Sequence, residues 1–186
     1  MPVVSIKWFP EAKGSGGHVE LLDQTKLPLA TYWIKCSETA AVIDAIKRLA
    51  VRGAPAIGIA GAYAYCLAAQ QAIVEMSGPD GVLPDVKALT DRIGAQSALI
   101  AAARPTAVNL QWAVDRMNGV LARYSLVHSM FLGPTECCSF TPDSSRAKDG
   151  DAAVCAGSSS HAEEMLLALC QEVFQALFYI LLICGT

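Results

Sequence analysis

The stretch Val51-Arg52-Gly53-Ala54-Pro55-Ala56-Ile57-Gly58 places an arginine and a glycine directly before a proline that opens a long apolar run. Proline suits the first helical position, because its missing N–H would have no intrahelical partner there. We therefore expect the chain to turn at Gly53 and to enter a helix at Pro55. The N-terminus of a helix attracts anions, and the Arg52 guanidinium is a planar fork suited to phosphate or carboxylate. The alternative is an arginine on an ordinary surface turn before a core helix.

A second stretch, Ala103-Arg104-Pro105-Thr106-Ala107-Val108-Asn109, repeats this design. Its arginine precedes a proline that we expect to start a helix running to about Tyr124. If both helices begin at the same place, the site holds two guanidinium groups and two positive dipole ends, which suits a sugar phosphate. Asn109 and Gln111 either add hydrogen bonds to sugar hydroxyls or are ordinary polar residues of a helix surface.

Composition limits the possible functions. The chain has 186 residues, of which 53% are hydrophobic and 17% charged, and a net charge of −3. These values indicate one folded domain, alone or with an appendage, and give no support to nucleic-acid binding. No secretory signal is visible, so we expect a cytoplasmic location, with the nucleus as a second compartment. The seven cysteines are then expected to be free thiols, and without a Cys-x-x-Cys pair a zinc site is not expected.

The order of patterns predicts an α+β fold. Period-two alternation predicts three short strands, near residues 3–8, 18–21 and 29–36, and therefore a small antiparallel sheet. Four helices follow, the first capped by Ser37 and the third marked by apolar residues from Val86 to Ile100. Residues 53–74 carry no charge, but they consist largely of alanine and glycine and include two glutamines, so we expect a helix packed on all sides rather than a membrane span.

The composition changes after Tyr124, and we divide the chain there. Residues 1–125 are the predicted folded domain, and residues 126–160 are a predicted disordered linker rich in Ser, Gly, Pro and Asp. Residues 161–186 are a predicted apolar helix, which a capping box at Ser160 and Glu163 precedes. Residues 173–184 are almost wholly apolar but short for a bilayer, so we expect this helix to pack on the bundle or to remain exposed rather than to enter a membrane.

Three motifs carry a family resemblance. Asp23-Gln24-Thr25-Lys26-Leu27-Pro28 and the two arginine–proline stretches stand in the order and spacing seen in the methylthioribose-1-phosphate isomerase family, over about residues 1–125. This family of aldose–ketose isomerases serves methionine salvage, and its wider group includes regulatory subunits of a translation initiation exchange factor, initiation factor 2B. The Arg-Gly-Ala-Pro-Ala-Ile-Gly form resembles the isomerase branch.

The resemblance implies a fold and a set of binding residues. The family's N-terminal domain is a small antiparallel sheet with a helical bundle. Arg52, Gly53 and Ala54 match its substrate-binding loop, and Arg104 matches an arginine that contacts phosphate. The family's reaction needs no metal or nucleotide cofactor.

The sequence departs from the family in its catalytic residues. The family's catalytic cysteine lies in a Thr-x-Cys-Asn-Thr-Gly stretch and its aspartate in a Gly-Ala-Asp-Arg stretch, both in a C-terminal Rossmann-like domain, and neither stretch occurs here. We therefore assign no catalytic residue and expect a truncated isomerase-like protein without activity of its own. The alternative is a non-catalytic binding module that docks on the full-length isomerase.

Overall fold

The computed structural model describes residues 5–9, 17–76 and 86–132, and these form a small sheet followed by a helical bundle. The strands are β1 (Ile6–Phe9), β2 (His18–Leu22) and β3 (Trp33–Cys36), and the helices are α1 (Thr39–Lys47), α2 (Ala54–Met76), α3 (Val86–Ala101) and α4 (Val108–Leu132). The predicted α+β class is thereby confirmed. Most of the predicted linker and the whole predicted terminal helix lie outside the described residues, and the division of the chain at residue 125 stays a prediction.

The three strands form an antiparallel sheet in the order β1-β2-β3. Val19 of the central strand pairs with Trp8 on one side and with Cys36 on the other. Val19 and Cys36 are fully buried, because this face of the sheet covers the helices. The Trp8 ring stacks on Tyr63 of α2, with 5.4 Å between the ring centroids, and so fixes β1 on the central helix.

Helix α2 is the centre of the bundle. It packs against α1, α3 and α4 and against strands β1 and β2. Thirteen of its 23 residues are buried, which explains why the helix is apolar on every side. By length and composition α2 could also cross a membrane, but 78% of its most apolar window is buried inside this fold. The predicted helix packed on all sides is confirmed.

Two predicted details, the N-cap of α1 and the start of β3, are wrong. Helix α1 has Glu38 at its N-cap instead of Ser37, and Glu38 makes no side-chain cap hydrogen bond. The helix starts at Thr39 because that side chain is buried and its hydroxyl donates to the Ala64 carbonyl of α2, 3.3 Å away. Strand β3 begins at Trp33 instead of Leu29, because the preceding residues form turns, with the Ala30 N–H donating to the Lys26 carbonyl.

The start and end of α4 also differ from the expectation. Pro105 does not open the helix, because residues 104–107 form a turn in which the Ala107 N–H donates to the Arg104 carbonyl over 2.9 Å. Proline at the second position favours such a turn, since its fixed φ suits that position. The helix begins at Val108 and runs to Leu132 rather than to about Tyr124.

Helices α2 and α4 are parallel and begin at the same end of the bundle. Gly58 near the start of α2 lies against Asn109 near the start of α4, and further along the Tyr65 hydroxyl donates to Asn118 Oδ1 over 2.9 Å. Since both contacts advance in the same direction along the two helices, their N-termini must lie side by side. The close approach depends on Gly58, because a Cβ there would lie 2.9 Å from the Asn109 carbonyl oxygen.

We expect Gly58→Ala to destabilise the fold by about 1–2 kcal/mol, because the new methyl group meets backbone that cannot rotate away. Gly94→Ala in α3 is the matched control, since a Cβ there has nothing within 4 Å. This control should gain up to about 1 kcal/mol from the higher helix propensity of alanine. Urea unfolding followed by circular dichroism measures both, and equal effects of the two substitutions would contradict the close-approach argument.

Candidate functional site

The turn between α1 and α2 carries Arg52 and begins with an unusual residue. Leu49 has a φ of +60°, a left-handed conformation that glycine normally supplies at the end of a helix. The Ala50 N–H donates to the Ala45 carbonyl over 2.9 Å and the Leu49 N–H to the Ile46 carbonyl over 3.2 Å, which is the Schellman pattern. A leucine in this conformation costs about 1–2 kcal/mol, so the surrounding contacts must hold it there.

Arg52 itself is exposed on this turn. Its Nε–H donates to the Leu49 carbonyl over 3.3 Å. Gly53 follows with a φ of +92°, and its carbonyl accepts the first hydrogen bond of α2, from the Ile57 N–H at 3.0 Å. The predicted turn at Gly53 is confirmed, and Ala54 is the first residue of the helix.

The space in front of α2 is open. Gly53 and Ala54 are exposed, and a Cβ on Gly53 would have no neighbour within 4 Å. Within the described part of the chain, no atom near Gly53 therefore blocks an anion that approaches the start of the helix. An open helix N-terminus beside a guanidinium is the arrangement that proteins use to hold phosphate.

Arg104 lies at the same end of the bundle, on the turn before α4. It is half-buried, and among the residues that the structure describes its guanidinium makes no hydrogen bond or ion pair. By contrast, Arg48 pairs with Asp23 and Asp44, and Arg92 pairs with Glu75. Arg52 resembles Arg104 in having no carboxylate partner among the described residues. Within the described residues, no carboxylate therefore competes with an external anion for either arginine.

Asn109 and Gln111, which we weighed as sugar ligands, have ordinary positions. Gln111 Nε2 donates to Asp115 Oδ1 over 2.8 Å on the exposed face of α4, which is a common pairing of residues four apart on a helix. Asn109 is half-buried against Gly58, where its backbone makes the contact between α2 and α4. Neither geometry favours a role in sugar binding.

The described residues offer no reactive thiol or metal cluster. Cys36 and Cys66 are buried and form no disulfide with each other, and burial raises the pKa of the Cys36 thiol to about 11. That thiol is protonated at neutral pH and is a weak nucleophile. Within residues 5–9, 17–76 and 86–132 no three His, Cys, Asp or Glu side chains cluster as metal ligands would. The substrate-binding roles of Arg52, Gly53, Ala54 and Arg104 stay predictions.

A buried carboxylate near the Arg52 turn was missed in the sequence. Asp23 is 2% exposed, and its carboxylate accepts from the Thr25 N–H, the Thr25 hydroxyl and Arg48. The hydrogen bond from the Thr25 side chain, together with Arg48, holds the pKa of Asp23 below its ordinary value. In the sequence this stretch served only as one of the three family motifs, although Asp followed two residues later by Thr is a pattern typical of such turns.

A groove of about 490 Å³ lies between α3 and α4. It is lined by residues of both helices, namely Thr90, Gly94, Asn118, Leu121, Ala122, Ser125 and Leu126. At 1.5 Å per residue, Asn118 lies roughly 15 Å along α4 from the start of that helix. The groove is therefore separate from the arginine turns.

We expect Leu49→Gly to stabilise the fold by about 1 kcal/mol, because glycine adopts a positive φ without the Cβ penalty. Gly53→Ala should destabilise it by about the same amount, although the new methyl group touches nothing. Thermal unfolding measures both effects. If Gly53→Ala were neutral, the positive φ of Gly53 would not be needed by the turn.

Comparisons with known proteins agree with the family resemblance of the sequence. Residues 50–130 match the model of the Initiation factor 2 subunit family. Methylthioribose-1-phosphate isomerase of Pelotomaculum thermopropionicum is 48% identical over 101 residues, which are 54% of this chain and 25% of that protein. The isomerase of Stutzerimonas stutzeri is 46% identical over 121 residues, 65% of this chain and 29% of that protein. The chain thus spans well under half the length of the curated relatives it matches.

Solved structures show the same fold. The crystal structure of 5-methylthioribose 1-phosphate isomerase from Pyrococcus horikoshii matches 90% of this chain and 36% of its own, with a TM-score of 0.57 and 23% identity. The translation initiation factor eIF-2B subunit delta from A. fulgidus matches 91% of this chain and 36% of its own, with a TM-score of 0.55 and 28% identity. Residues 50–130 of this chain therefore match the Initiation factor 2 subunit family, and the chain resembles the N-terminal part of the methylthioribose-1-phosphate isomerases.

Proposed function

We propose that this chain is an S-methyl-5-thioribose-1-phosphate isomerase-like protein that holds the phosphate of its substrate where α2 and α4 begin. The observation that carries the proposal is the pair of arginines, Arg52 and Arg104, on the turns before two parallel helices, since the described part of the chain offers neither of them a carboxylate partner. The curated relatives, which are named as isomerases of a sugar phosphate, support the choice of substrate class. The proposed ligand is the substrate of an aldose–ketose isomerisation in methionine salvage.

The proposed site binds an anion by three means. The guanidinium groups of Arg52 and Arg104 supply charge and donor pairs that match phosphate oxygens. The open N–H groups at the start of α2 add further donors, and the absent side chain of Gly53 lets a phosphate come close to the backbone. Pro55 donates no hydrogen bond, so the donors come from the neighbouring residues.

Holding the phosphate is only one part of such a reaction. Moving hydrogen between two sugar carbons needs positioned proton donors and acceptors, each contributing about 10²- to 10⁴-fold. The buried thiol of Cys36 is unsuited to this task, and the family's catalytic cysteine and aspartate stretches have no counterpart among the 186 residues. Since binding that holds substrate and transition state equally does not raise turnover, we propose that these residues bind substrate without converting it.

We expect weak binding of ribose 1-phosphate, with a Kd on the order of millimolar, because two charge-assisted contacts must offset the entropy of binding. Arg52→Ala combined with Arg104→Ala should weaken binding by more than about tenfold. Arg92→Ala is the matched control, since that arginine pairs with Glu75 elsewhere in the bundle. Two-dimensional NMR titration measures the affinities, and equal titration curves for the double variant and the wild type would contradict the proposal.

We expect no measurable conversion of methylthioribose 1-phosphate by the purified 186-residue chain, because no group in the proposed site moves the proton. The measurement is product formation compared with the same preparation carrying Arg104→Ala. Turnover that is present in the wild type and lost in this variant would reveal catalytic residues that our account lacks.

A second candidate function is a non-catalytic module that docks on the full-length isomerase. It is favoured by exposed apolar side chains between β2 and β3, where Leu27, Leu29 and Tyr32 are 43%, 96% and 59% exposed. Co-elution of the chain with a full-length isomerase, lost in Leu29→Ser combined with Tyr32→Ser, would favour the module. Independent elution of the two proteins would exclude a stable complex.

A further inference from the structure

A buried carboxylate contacts the turn that carries Arg52. Asp23 follows β2, and besides its hydrogen bonds from Thr25 it accepts one from Arg48 Nη1 over 3.2 Å. The Asp23 side chain is 3% exposed whereas that of Arg48 is 42% exposed, so the ion pair reaches from the interior to the surface. A buried carboxylate needs such partners, because losing its hydration is costly.

The same loop also contacts the turn through its backbone. The Gln24 N–H donates to the Ala50 carbonyl over 2.9 Å. Arg48 and Ala50 are the residues immediately before and after Leu49, whose φ of +60° is unfavourable for leucine. Contacts from residues 23 and 24 therefore fix both neighbours of the residue that needs external support.

The orientation of Arg52 depends on this support. Its Nε–H donates to the Leu49 carbonyl, and the direction of that carbonyl is set by the left-handed conformation of Leu49. If Leu49 relaxed to an ordinary conformation, its carbonyl would turn and the hydrogen bond to Arg52 would be lost. A continuous series of contacts thus runs from Asp23 through Arg48 and Leu49 to Arg52.

We propose that Asp23 is a positioning residue for Arg52, which it orients through the ion pair to Arg48 and the conformation of Leu49. Only one consequence of this proposal rests on the proposed function, namely that Asp23 sets the affinity of the site for a phosphate. It assigns to the Asp-Gln-Thr stretch a role in preparing the anion site, beyond closing a loop between strands.

The first test needs no ligand. In ¹⁵N-labelled protein, Asp23→Asn should shift the backbone amide and Nε–H signals of Arg52, and the amide signals of core residues of α2 should stay in place. Asp44→Asn is the matched control, because Asp44 also pairs with Arg48, over 2.9 Å, but its side chain is 69% exposed on α1. Unchanged Arg52 signals in Asp23→Asn, or equal shifts in the control, would overturn the proposal.

The second test uses ribose 1-phosphate as the probe. Asp23→Asn should weaken binding by roughly tenfold in the wild-type background, since misplacing a binding group by about an ångström has effects of this order or larger. In the Arg52→Ala background the same substitution should have no further effect on the Kd, because its target is gone. A merely structural role would instead change the fraction of folded protein in both backgrounds, and additive effects on the Kd would overturn the proposal.

The outcomes separate this proposal from the proposed function. If Asp23→Asn shifts the Arg52 signals but the wild type shows no binding of ribose 1-phosphate, Asp23 orients Arg52 and the proposed function is wrong. Where Asp23→Asn fails to fold, Arg48→Met removes the same ion pair from its exposed partner and is expected to give the same shifts at Arg52. Unshifted Arg52 signals in Arg48→Met would then overturn the proposal.

Discussion

The contact between Gly58 of α2 and the Asn109 backbone of α4 determines the arrangement on which the rest of this structure depends. A Cβ at Gly58 would lie 2.9 Å from the Asn109 carbonyl oxygen, so only glycine lets the two helices approach this closely. Gly61, one turn later in α2, is a second point of close approach, because a Cβ there would meet the side chain of Leu110. Because the two helices are parallel, this approach brings their positive ends to one side of the bundle, together with the arginines that precede them.

Much of this arrangement could be predicted from local sequence. Gly53, Pro55 and the uncharged run after them predict a turn followed by a buried helix, and the structure has both. The backbone preferences of glycine and proline and the spacing of apolar residues are local properties of the sequence, so they can be recognised without knowledge of the fold. The repeated arginine–proline stretches also predicted a shared anion site, provided that the two helices begin at the same place. The sequence alone did not establish that the helices pack in parallel.

Other features could not be predicted, because tertiary contacts decide them. Leucine is unfavourable at a positive φ, so nothing in the sequence marks Leu49 as the left-handed end of α1. The N-cap of α1 is Glu38 because Thr39 bonds to α2 across the core, a contact that local preference for Ser37 does not include. Asp23 looks like a solvated loop residue until its ion pair with Arg48 is seen.

The central claim is that Arg52 and Arg104 hold the same phosphate. A crystal structure of the chain grown with ribose 1-phosphate tests this claim most directly. We expect the phosphate in front of α2, with both guanidinium groups within hydrogen-bond distance of its oxygens. A phosphate bound by only one of these arginines, or bound in the groove between α3 and α4, would contradict the account.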